Sequence, residues 1–574
     1  MSVSAGTLGP VQRLEALERL ATEEFDVVVV GGGVTGAGVA LDAATRGLSV
    51  ALLERRDFAA GTSSRSSKLL HGGLRYLEQR NFALVREALH ERSLILTRLA
   101  PHLARAVPFV YPLQHRVWER AYVGTGIALY DTLGGRVPAV PRHRHLSRSA
   151  TLAIAPSLDP AALVGSVRYY DGQVDDARFV TTLVRTAAAH GAVCVSAVGV
   201  HGFQEAGGRL VAAEVVDAES GREMRVRGRT FISATGVWTT RTEQLAKVEK
   251  PLQVLASKGV HLLVPRGRID SETAWVVRTE KSVLFLIPWN EHWVIGTTDT
   301  PWDLDLDHPS ATAEDLGYLL EHVNRVLRPD QSRLTVQDVV GVYVGLRPLV
   351  VPPTDVDRDT TKISREHVVR ASRPGFVTVA GGKYTTYRVM AADAVDLAVR
   401  QLPFPVQASR TEHVPLLGAD GFASAAMRAR QHQAASLVGP LAIEHLVRRF
   451  GSCTTELLDL VVADPALAQP IPGAGWYVLA EAHYAASAEG ALHVDDVLTR
   501  RTRVSIEAPD RGAAAAGPVA DVLARVLGWS SEQRDAEVSR YHDRLEAERQ
   551  SLTAHDDTEA DSRRTQVRDP RVTT

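Results

Sequence analysis

A valine-rich run that passes directly into a glycine-rich turn constrains this chain more than any other feature. Residues 25–30 include four consecutive valines, and residues 31–36 read Gly-Gly-Gly-Val-Thr-Gly. β-Branched residues favour a buried parallel strand, whereas residues 37–46 are mostly helix-compatible. A second apolar run then ends at Glu54. The sequence therefore predicts strand, glycine turn, helix, strand.

This arrangement indicates a dinucleotide-binding site. Gly31 allows a tight turn, Gly33 lets backbone amides approach a pyrophosphate at the helix N-terminus, and Gly36 lets the helix pack on the strand. Glu54 can accept the ribose hydroxyls. The glycine pattern alone is weak evidence and does not separate NAD from FAD. With the strand, helix and acidic residue in place, dinucleotide binding is the favoured interpretation.

The next segment favours FAD. Residues 61–76 combine hydroxyl side chains, three glycines and several cations. Such a stretch can follow a long cofactor, offering hydroxyls and amides to the pyrophosphate and the flavin ring, although a polar surface loop is the alternative. In residues 231–236 and 376–383, an apolar strand again runs into small residues. Each predicts either a close backbone approach or a tight turn.

Composition excludes several classes of protein. The 574 residues suggest two to four domains at roughly 150 residues each. Lys and Arg number 65 against 67 Asp and Glu, so net charge gives no argument for nucleic acid or anionic lipid. Cys194 and Cys453 are the only cysteines, which argues against a disulfide framework and a multi-cysteine metal site. We expect a globular protein without metal, signal peptide or membrane-spanning helix.

The chain divides into segments of different character. These are an N-terminal extension (1–24), an α/β region (25–405), a helical region (406–549) and a C-terminal tail (550–574). In the extension, Leu14, Leu17 and Leu20 predict a short amphipathic helix packed on the domain. The α/β region alternates strands and helices, which predicts a discontinuous fold with a second sheet inserted. The tail lacks Phe, Tyr and Trp, and we expect it to be disordered and solvated.

Seven motifs, in the same order along the chain, closely resemble those of FAD-dependent glycerol-3-phosphate dehydrogenases. They are SSKLLHGGLRYLE (66–78), VDDAR (174–178), IGTTD (295–299), GLRPL (345–349), SREH (364–367), GGKYTTYR (381–388) and DVLTRRTR (496–503). The resemblance covers about residues 25–545 and leaves the extension and the tail outside. It implies a Rossmann-like FAD-binding domain with an inserted mixed-sheet substrate domain of amine-oxidase type, and a helical C-terminal cap.

The implied reaction is oxidation of sn-glycerol 3-phosphate to dihydroxyacetone phosphate, with hydride transfer to FAD and electrons passed to a membrane quinone. The resemblance places such an enzyme in the cytoplasm, peripheral on the inner face of the membrane. We keep a homodimer as an expectation, because the sequence does not set the oligomeric state. An oxygen-using glycerol-3-phosphate oxidase is the nearest alternative. A flavin amine oxidase and a non-catalytic flavoprotein are less favoured.

The resemblance also implies site residues. A small phosphorylated substrate needs cations, and matching motif positions assign substrate binding to Arg75, Tyr76, Arg365 and Lys383. Catalytic roles fall to Arg347 and His261. Arg347 lies in an apolar stretch and is costly to bury unpaired, which favours an anionic partner. His261 suits proton transfer, but a satisfied core histidine is an equal contender. The cofactor-binding candidates are Gly31, Gly33, Gly36, Glu54, Thr62, Ser63, Ser64, Ser67, His71, Gly72, Ala234, Gly236, Gly382 and Thr385.

Overall fold

The computed structural model describes residues 5–73, 81–115, 117–134, 139–279, 283–351 and 366–572. Its strands are β1 (Glu24–Val30), β2 (Val50–Leu53), β3 (Leu69–Leu70), β4 (Ala104–Leu113), β5 (Arg144–Ser147), β6 (Gly165–Val174), β7 (Val193–Val195), β8 (Val198–Ala206), β9 (Arg209–Asp217), β10 (Glu223–Ser233), β11 (Gln253–Pro265), β12 (Ala274–Arg278), β13 (Val283–Trp289), β14 (His292–Gly296), β15 (Thr300–Trp302), β16 (Gly341–Val351), β17 (His367–Arg373), β18 (Phe376–Gly381), β19 (Pro470–Ile471) and β20 (Ala474–Val478).

The helices of the same residues are α1 (Pro10–Thr22), α2 (Val34–Thr45), α3 (Phe82–Leu94), α4 (Trp118–Leu133), α5 (Arg148–Ile154), α6 (Asp176–Ala189), α7 (Thr239–Leu245), α8 (Ala313–Asn324), α9 (Tyr387–Val399), α10 (Phe422–Gln431), α11 (Ala435–Val438), α12 (Pro440–Phe450), α13 (Thr454–Ala463), α14 (Leu479–Ala488), α15 (Val494–Asp496), α16 (Val504–Glu507), α17 (Ala513–Leu527), α18 (Ser531–Ser551) and α19 (Asp557–Arg564). Two short π-helical turns, Ile95–Leu99 and Val497–Arg501, follow α3 and α15.

The first sheet is mainly parallel and has the order β17-β18-β10-β1-β2-β7, with β9 and β8 attached beside β10. Val27 and Val29 of β1 pack in one hydrophobic core together with α2 and α6. Val28 packs in a second core on the opposite face. Because both faces of β1 are covered, an unbroken valine run suits this strand, and the predicted strand–turn–helix–strand unit is confirmed.

The second sheet is mixed and has the order β15-β11-β14-β13-β12-β4-β6-β3, with β16 paired to β11 and β5 paired to β6. Strands β11 and β16 run antiparallel in continuous register from Gln253 opposite Val351 to Leu263 opposite Gly341. This register sets His261 opposite Tyr343. The inserted mixed sheet that the family resemblance implies is therefore confirmed.

The C-terminal region is built of helices around its own core. In α12, Ile443, Leu446, Val447 and Phe450 are buried at helical spacing. Fully burying an aliphatic or aromatic side chain of this size contributes about 1.5–3 kcal/mol, so this stripe fixes the helix on its neighbours. The helical cap is confirmed as an element of the fold, and the exact limits of the four segments stay a prediction.

Buried ion pairs join this helical region to the first sheet. Arg501 binds both carboxylate oxygens of Asp57, at 2.7 Å each. Arg178 of α6 binds both carboxylate oxygens of Glu489, one of them at 2.8 Å. Arg503 lies 2.7 Å from Asp175. These pairs fasten the two regions across a buried interface.

The prediction that the tail is disordered is wrong for residues 550–572. Helix α19 lies within it, and Arg571 is 4% exposed. Its guanidinium binds Asp496 at 3.0 Å and Asp569 at 2.9 Å. Asp557 binds the buried ammonium of Lys258 on β11. A segment without aromatic residues is thus ordered because its charges meet buried partners elsewhere in the chain.

The N-terminal extension forms α1, as expected. Leu17 and Leu20 are buried in the same core as Phe25, which confirms that the helix packs on the domain. Leu14 is 67% exposed and does not belong to the buried face, so the prediction is wrong at that position. Among the described residues, no helix is both long enough and apolar enough to cross a bilayer.

Candidate functional site

The carboxyl ends of four neighbouring parallel strands, β18, β10, β1 and β2, meet at one edge of the first sheet. Hydrogen bonds lock the turns that leave this edge. The Gly31 amide donates to the Leu53 carbonyl at 2.8 Å, and the Ala234 amide donates to the Val30 carbonyl at 2.9 Å. In open α/β sheets, the crevice beyond such strand ends is where ligands bind.

Two glycines make the turn after β1 possible. Gly31 has a φ of 108°, which residues with side chains rarely adopt. A Cβ atom on Gly36 would lie 1.8 Å from the Gly31 carbonyl oxygen, so only glycine allows α2 to cross this close. The consequence is that the N-terminus of α2 faces the crevice directly.

Polar side chains surround this helix N-terminus. Glu54 accepts hydrogen bonds from the Gly32 amide at 2.7 Å and from the Arg56 amide at 2.8 Å. The Ser63 hydroxyl accepts from the Val34 amide at 2.9 Å. A carboxylate that suits ribose hydroxyls and a helix terminus that suits phosphate are therefore side by side.

A cavity of about 1030 Å³ extends from this point to the second sheet. Most of the site residues predicted from the sequence line it, namely Gly31, Gly33, Glu54, Thr62, Ser63, Ser67, His71, Ala234, Gly236, His261, Arg347, Gly382 and Lys383. The glycine turn and the two predicted catalytic side chains thus share one cavity. Its volume lies at the upper end of the range for small-molecule sites, as a long cofactor with a small substrate requires.

Four predicted cofactor contacts do not line the cavity and lie behind it. Gly36 is at the α2 crossing, and the Ser64 carbonyl accepts from Arg503 at 3.2 Å. The Gly72 amide donates to the Tyr130 hydroxyl at 2.7 Å, and the Thr385 hydroxyl accepts from the His71 amide at 3.2 Å. Their role in the structure is to hold the segments that form the wall. The predicted substrate residues Arg75, Tyr76 and Arg365 lie outside the described residues.

Arg347 projects from β16 toward the cavity. Its Nη2 donates to the Thr297 hydroxyl at 2.9 Å and to the Thr298 carbonyl at 3.1 Å. Its Nη1 lies 3.5 Å from the Asp299 carboxylate, which also binds the Ser257 hydroxyl. Because Asp299 is a partner within the protein, the burial cost of Arg347 does not by itself require an anionic ligand. These bonds fix the direction of the guanidinium fork.

His261 is 3% exposed and is held on two sides. Its ring stacks on Tyr343 with centroids 4.7 Å apart and planes 7° apart. Its Nε2 and the Ser67 hydroxyl form a hydrogen bond of 2.8 Å. Burial, followed by the charges of Arg347 and Lys68, lowers the pKa of His261 well below 6.5. The imidazole is therefore neutral at pH 7 and able to accept a proton.

Sequence reasoning missed a buried network beside the His71–Gly72 segment. The Tyr130 hydroxyl donates to Asp171 at 2.7 Å, and Arg92 binds the same carboxylate oxygen at 2.6 Å. Asp171 also lines the cavity, next to the aromatic side chains of Tyr169 and Phe109. The alternation of residues 167, 169 and 171 along β6 was the available signal, since these side chains share one face of the strand.

The residues present fit a flavin dinucleotide. The cavity lining includes Glu54 and the α2 N-terminus, together with the hydroxyls of Thr62 and Ser63. It also includes the cations Arg347 and Lys383 and the neutral histidine, His261. Fold and site together define a dinucleotide-binding oxidoreductase of the flavin type.

The comparisons with known proteins agree with this class. Residues 26–388 match the family model described as FAD dependent oxidoreductase, and residues 409–534 match the C-terminal domain of alpha-glycerophosphate oxidase. Glycerol-3-phosphate dehydrogenase 2 of Mycobacterium tuberculosis is 52% identical over 568 residues, covering 99% of this chain and 96% of the relative. The chain belongs to the family of FAD-dependent glycerol-3-phosphate dehydrogenases. The shared length corrects one expectation, because the N-terminal extension and the tail both lie inside the similarity.

More distant relatives share the fold over most of the chain. The mitochondrial glycerol-3-phosphate dehydrogenase of Bos taurus is 35% identical over 549 residues, which is 92% of this chain and 74% of the relative. The crystal structure of the Bacillus halodurans glycerol-3-phosphate dehydrogenase, complexed with FAD, superimposes with a TM-score of 0.77 at 26% identity. The superposition covers 94% of this chain and 98% of the Bacillus halodurans chain.

Proposed function

We propose that this protein oxidises sn-glycerol 3-phosphate to dihydroxyacetone phosphate, with FAD as the hydride acceptor and a quinone as the final electron acceptor. The observation that carries the proposal is the single cavity that joins the glycine turn of β1 and α2 to Arg347, Lys383 and His261. Family membership supports the same reaction. When bound, FAD supplies a two-electron acceptor for the hydrogen on C2 of the substrate.

Arg347 and Lys383 are proposed to bind and orient the phosphorylated substrate. Arg347 presents a planar fork whose direction is fixed by Thr297 and Asp299, and Lys383 adds a point charge. Lys383 directly follows Gly381 and Gly382, which have φ angles of 74° and 80° and bring the backbone to the cavity. Arg75, Tyr76 and Arg365 stay proposed substrate contacts on the strength of the resemblance.

His261 is proposed as the group that accepts the C2 hydroxyl proton. It is neutral, it lines the cavity, and its ring is immobilised by Tyr343 and Ser67. A neutral imidazole is able to accept this proton at pH 7 as the C2 hydride is lost. Binding in the correct orientation and exclusion of water supply the remaining acceleration.

FAD is proposed to lie along the glycine turn. Glu54 would hold the ribose, the α2 N-terminus with Ser63 would hold the diphosphate, and the Ser67–His71 segment would face the flavin end. Ala234, Gly236 and Gly382 are small enough to let the backbone approach the cofactor closely. These assignments rest on the lining of the cavity and on the matched motifs.

Contact with a membrane is proposed to occur through α4. Trp118, Tyr122 and Leu129 are exposed on one face of this helix, where apolar groups gain by leaving water. Arg142 and Arg144, in the segment that follows α4, are also exposed and can meet anionic headgroups. Tyr130 on the buried face bonds to Gly72 and Asp171 at the cavity. A quinone leaving the bilayer at α4 would therefore arrive next to the cofactor site.

The location proposed is cytoplasmic, with peripheral contact to the inner face of the membrane. Vesicle flotation tests the contact. The protein should float with vesicles that contain anionic lipid, and Trp118→Ser combined with Tyr122→Ser should abolish flotation while leaving bound FAD unchanged. The homodimer stays a prediction that sedimentation velocity would test.

The reaction is tested first in the absence of oxygen. The purified flavoprotein is mixed with sn-glycerol 3-phosphate, and the flavin absorbance near its visible maximum is followed. Rapid bleaching that glycerol, glycine and sarcosine do not produce is the expected result. A flavin that stays oxidised would refute the proposal, and bleaching by glycine or sarcosine would favour a flavin amine oxidase.

An oxygen-using oxidase is the second candidate, since residues 409–534 match a domain named for alpha-glycerophosphate oxidase. The reduced protein is divided between buffer with dissolved oxygen and oxygen-free buffer with a soluble quinone. Reoxidation that is fast only with the quinone is expected. Fast reoxidation by oxygen, with stoichiometric hydrogen peroxide, would favour the oxidase.

A further inference from the structure

A fully buried lysine lies behind His261 and has no part in the reaction described above. Lys68 is 0% exposed, and its ammonium binds Asp176 at 3.0 Å. The ammonium also lies 4.9 Å from the centre of the Tyr343 ring. Burying a charge costs free energy even when the charge is paired. An apolar pair of the same shape would therefore stabilise the fold at least as well as this ion pair does.

Two short paths lead from Lys68 to the histidine. The first passes through Tyr343, whose ring centre lies 4.9 Å from the Lys68 ammonium and 4.7 Å from the centre of the parallel His261 ring. The second passes along the backbone, because the neighbouring residue, Ser67, makes the hydrogen bond to His261 Nε2. Lys68 is therefore next to both groups that hold the imidazole in place, the Tyr343 ring and Ser67.

The turn that carries Ser67 depends on the same ion pair. Asp176 accepts hydrogen bonds from the Ser66 amide at 2.9 Å and the Ser66 hydroxyl at 2.7 Å. The Tyr343 hydroxyl donates to the Ser66 carbonyl at 2.9 Å. Lys68 itself has a φ of 58°, a backbone conformation that a lysine adopts only when its surroundings hold it. Bonds to Asp176 and Tyr343 thus fix the direction of Ser67.

We propose that Lys68 is a positioning residue for the oxidation: its charge keeps the His261 imidazole neutral, and its ion pair with Asp176 aims Ser67 at Nε2. This inference rests on the proposed function for its consequence in catalysis. Its effect on the charge of His261 is independent of that function. With the Ser67 hydroxyl as donor to Nε2, the substrate proton passes to the Ser67 oxygen as the Ser67 proton passes to Nε2, so a neutral imidazole with this hydrogen bond in place can receive the proton.

The charged and titratable groups around His261 allow the sign to be worked out. Among the described residues, Tyr343 and Arg347 face it from β16, Lys68 faces it from the turn, and Gly296 of β14 lies against the ring. Burial is the main cause of the lowered pKa, and the two cations lower it further. Removing the Lys68 charge must therefore raise the pKa of His261.

The size of the shift follows from the distances. The two ring separations, 4.9 Å and 4.7 Å, place the ammonium within about 10 Å of the imidazole. At an effective dielectric constant of about 20, a charge at that distance shifts a pKa by roughly one unit. Removing the Lys68 charge also leaves the negative charge of Asp176 less compensated, and this too raises the pKa of His261.

The first test is the pH dependence of flavin reduction by sn-glycerol 3-phosphate in Lys68→Met. The rate should rise with pH as His261 loses its proton, and the midpoint of this rise should lie about one pH unit higher than in the parent protein. Lys250→Met is the matched control, because it removes the charge of an exposed lysine that does not line the cavity, and its midpoint should not move. A Lys68→Met rate that is lower by the same factor at every pH would overturn the proposal.

The second test does not use the reaction. Unfolding midpoints in urea are measured between pH 3 and 8 for the parent, Lys68→Met, His261→Gln and the double variant. A neutral buried His261 makes the fold less stable as pH falls from 6.5 to the folded-state pKa of this histidine, and Lys68→Met, by raising that pKa, should end this loss at a higher pH. The His261→Gln background has no histidine at this position, so Lys68→Met should not produce this change in the acid dependence of the unfolding midpoint there. An identical change in both backgrounds would overturn the proposal.

The two tests separate the failure of this inference from the failure of the proposed function. If the flavin of the parent protein is not reduced, the proposed function fails, while the unfolding cycle still decides the role of Lys68. If reduction is normal but the cycle shows no coupling, the role of Lys68 fails alone. Should Lys68→Met not fold, Lys68→Gln removes the charge while keeping a donor for Asp176, and the same outcomes apply.

Discussion

Replacing Gly36 with alanine tests whether the close crossing of α2 over the turn after β1 is required for the cofactor. The added methyl group would lie 1.8 Å from the Gly31 carbonyl oxygen and 3.0 Å from its carbonyl carbon. Non-bonded heavy atoms settle at roughly 3.5 Å, so helix and turn must separate by more than an ångström. Both contacts are with backbone atoms, which cannot rotate away as a side chain can.

Two effects of Gly36→Ala follow from this separation. Forcing extra volume into a packed crossing costs about 1–3 kcal/mol of folding free energy. The amides at the N-terminus of α2 also move away from the diphosphate, and a loss of about 2 kcal/mol in binding lowers affinity for FAD roughly thirtyfold. We expect the purified variant to contain much less FAD and to unfold at a lower urea concentration.

The assay compares the ratio of flavin to protein absorbance and the urea midpoint with those of Gly317→Ala. Gly317 also lies within a helix, α8, and a Cβ there would meet no atom within 4 Å. That substitution should retain FAD and stabilise the fold by about 0.5–1 kcal/mol, as alanine does in an exposed helix. A Gly36→Ala protein with full FAD content and an unchanged midpoint would refute the reasoning.

Three further perturbations have defined outcomes. Arg178→Met removes the guanidinium that binds both oxygens of the buried Glu489 carboxylate and leaves Arg185 at 3.7 Å, so it should lower the unfolding free energy by about 3 kcal/mol, measured in urea. Asp557→Asn removes one of the two carboxylates on Lys258 and should make the tail more sensitive to limited proteolysis, with a loss of about 1 kcal/mol. Burial lowers the pKa of His102 to about 3, so the folded protein resists its protonation and loses stability as pH falls below 6.5. His102→Leu should abolish about 2 kcal/mol of that loss between pH 6.5 and pH 5, measured by urea unfolding across this range.

Each of these predictions has a control or a contrary result. Arg534→Met breaks an exposed pair with Asp521 and should cost less than about 1 kcal/mol, so equal losses in both arginine variants would contradict the first prediction. Proteolysis of Asp557→Asn at the parent rate would contradict the second. An unchanged acid dependence in His102→Leu would show that the protonation of other groups governs this pH range.

Local patterns were sufficient to predict the first sheet and its turn. The valine run of β1, the glycines after it and Glu54 after β2 all act within a short stretch of chain, where steric rules operate. The strand ends near Ala234 and Gly382 were predicted for the same reason, and both line the cavity. The family resemblance assigns catalytic roles to Arg347 and His261 without reference to the sheet register.

Pairings between distant residues could not be predicted in this way. Asp299 lies beside Arg347, and the Lys68 ammonium lies beneath Tyr343, but neither partner is near in sequence. The prediction that the tail is disordered is wrong for the same reason. Its composition lacks the apolar residues that build a core, yet Asp557 and Arg571 are ordered by Lys258 and Asp496. Disorder is predicted from composition by the scarcity of apolar residues, and such a prediction does not take ion pairs with distant residues into account.

The buried ion pairs between the helical region and the first sheet bear on cooperativity. If either region came away alone, Asp57, Asp175 and Arg501 would lose their partners, and apolar surface beside these pairs, such as the ring of Phe450, would be exposed to water. Partial opening at this interface is therefore unfavourable. The two regions should melt in one transition, and a gene fragment that encodes only the first would yield an aggregation-prone product. A functional chimera would need to exchange both sides of each pair together.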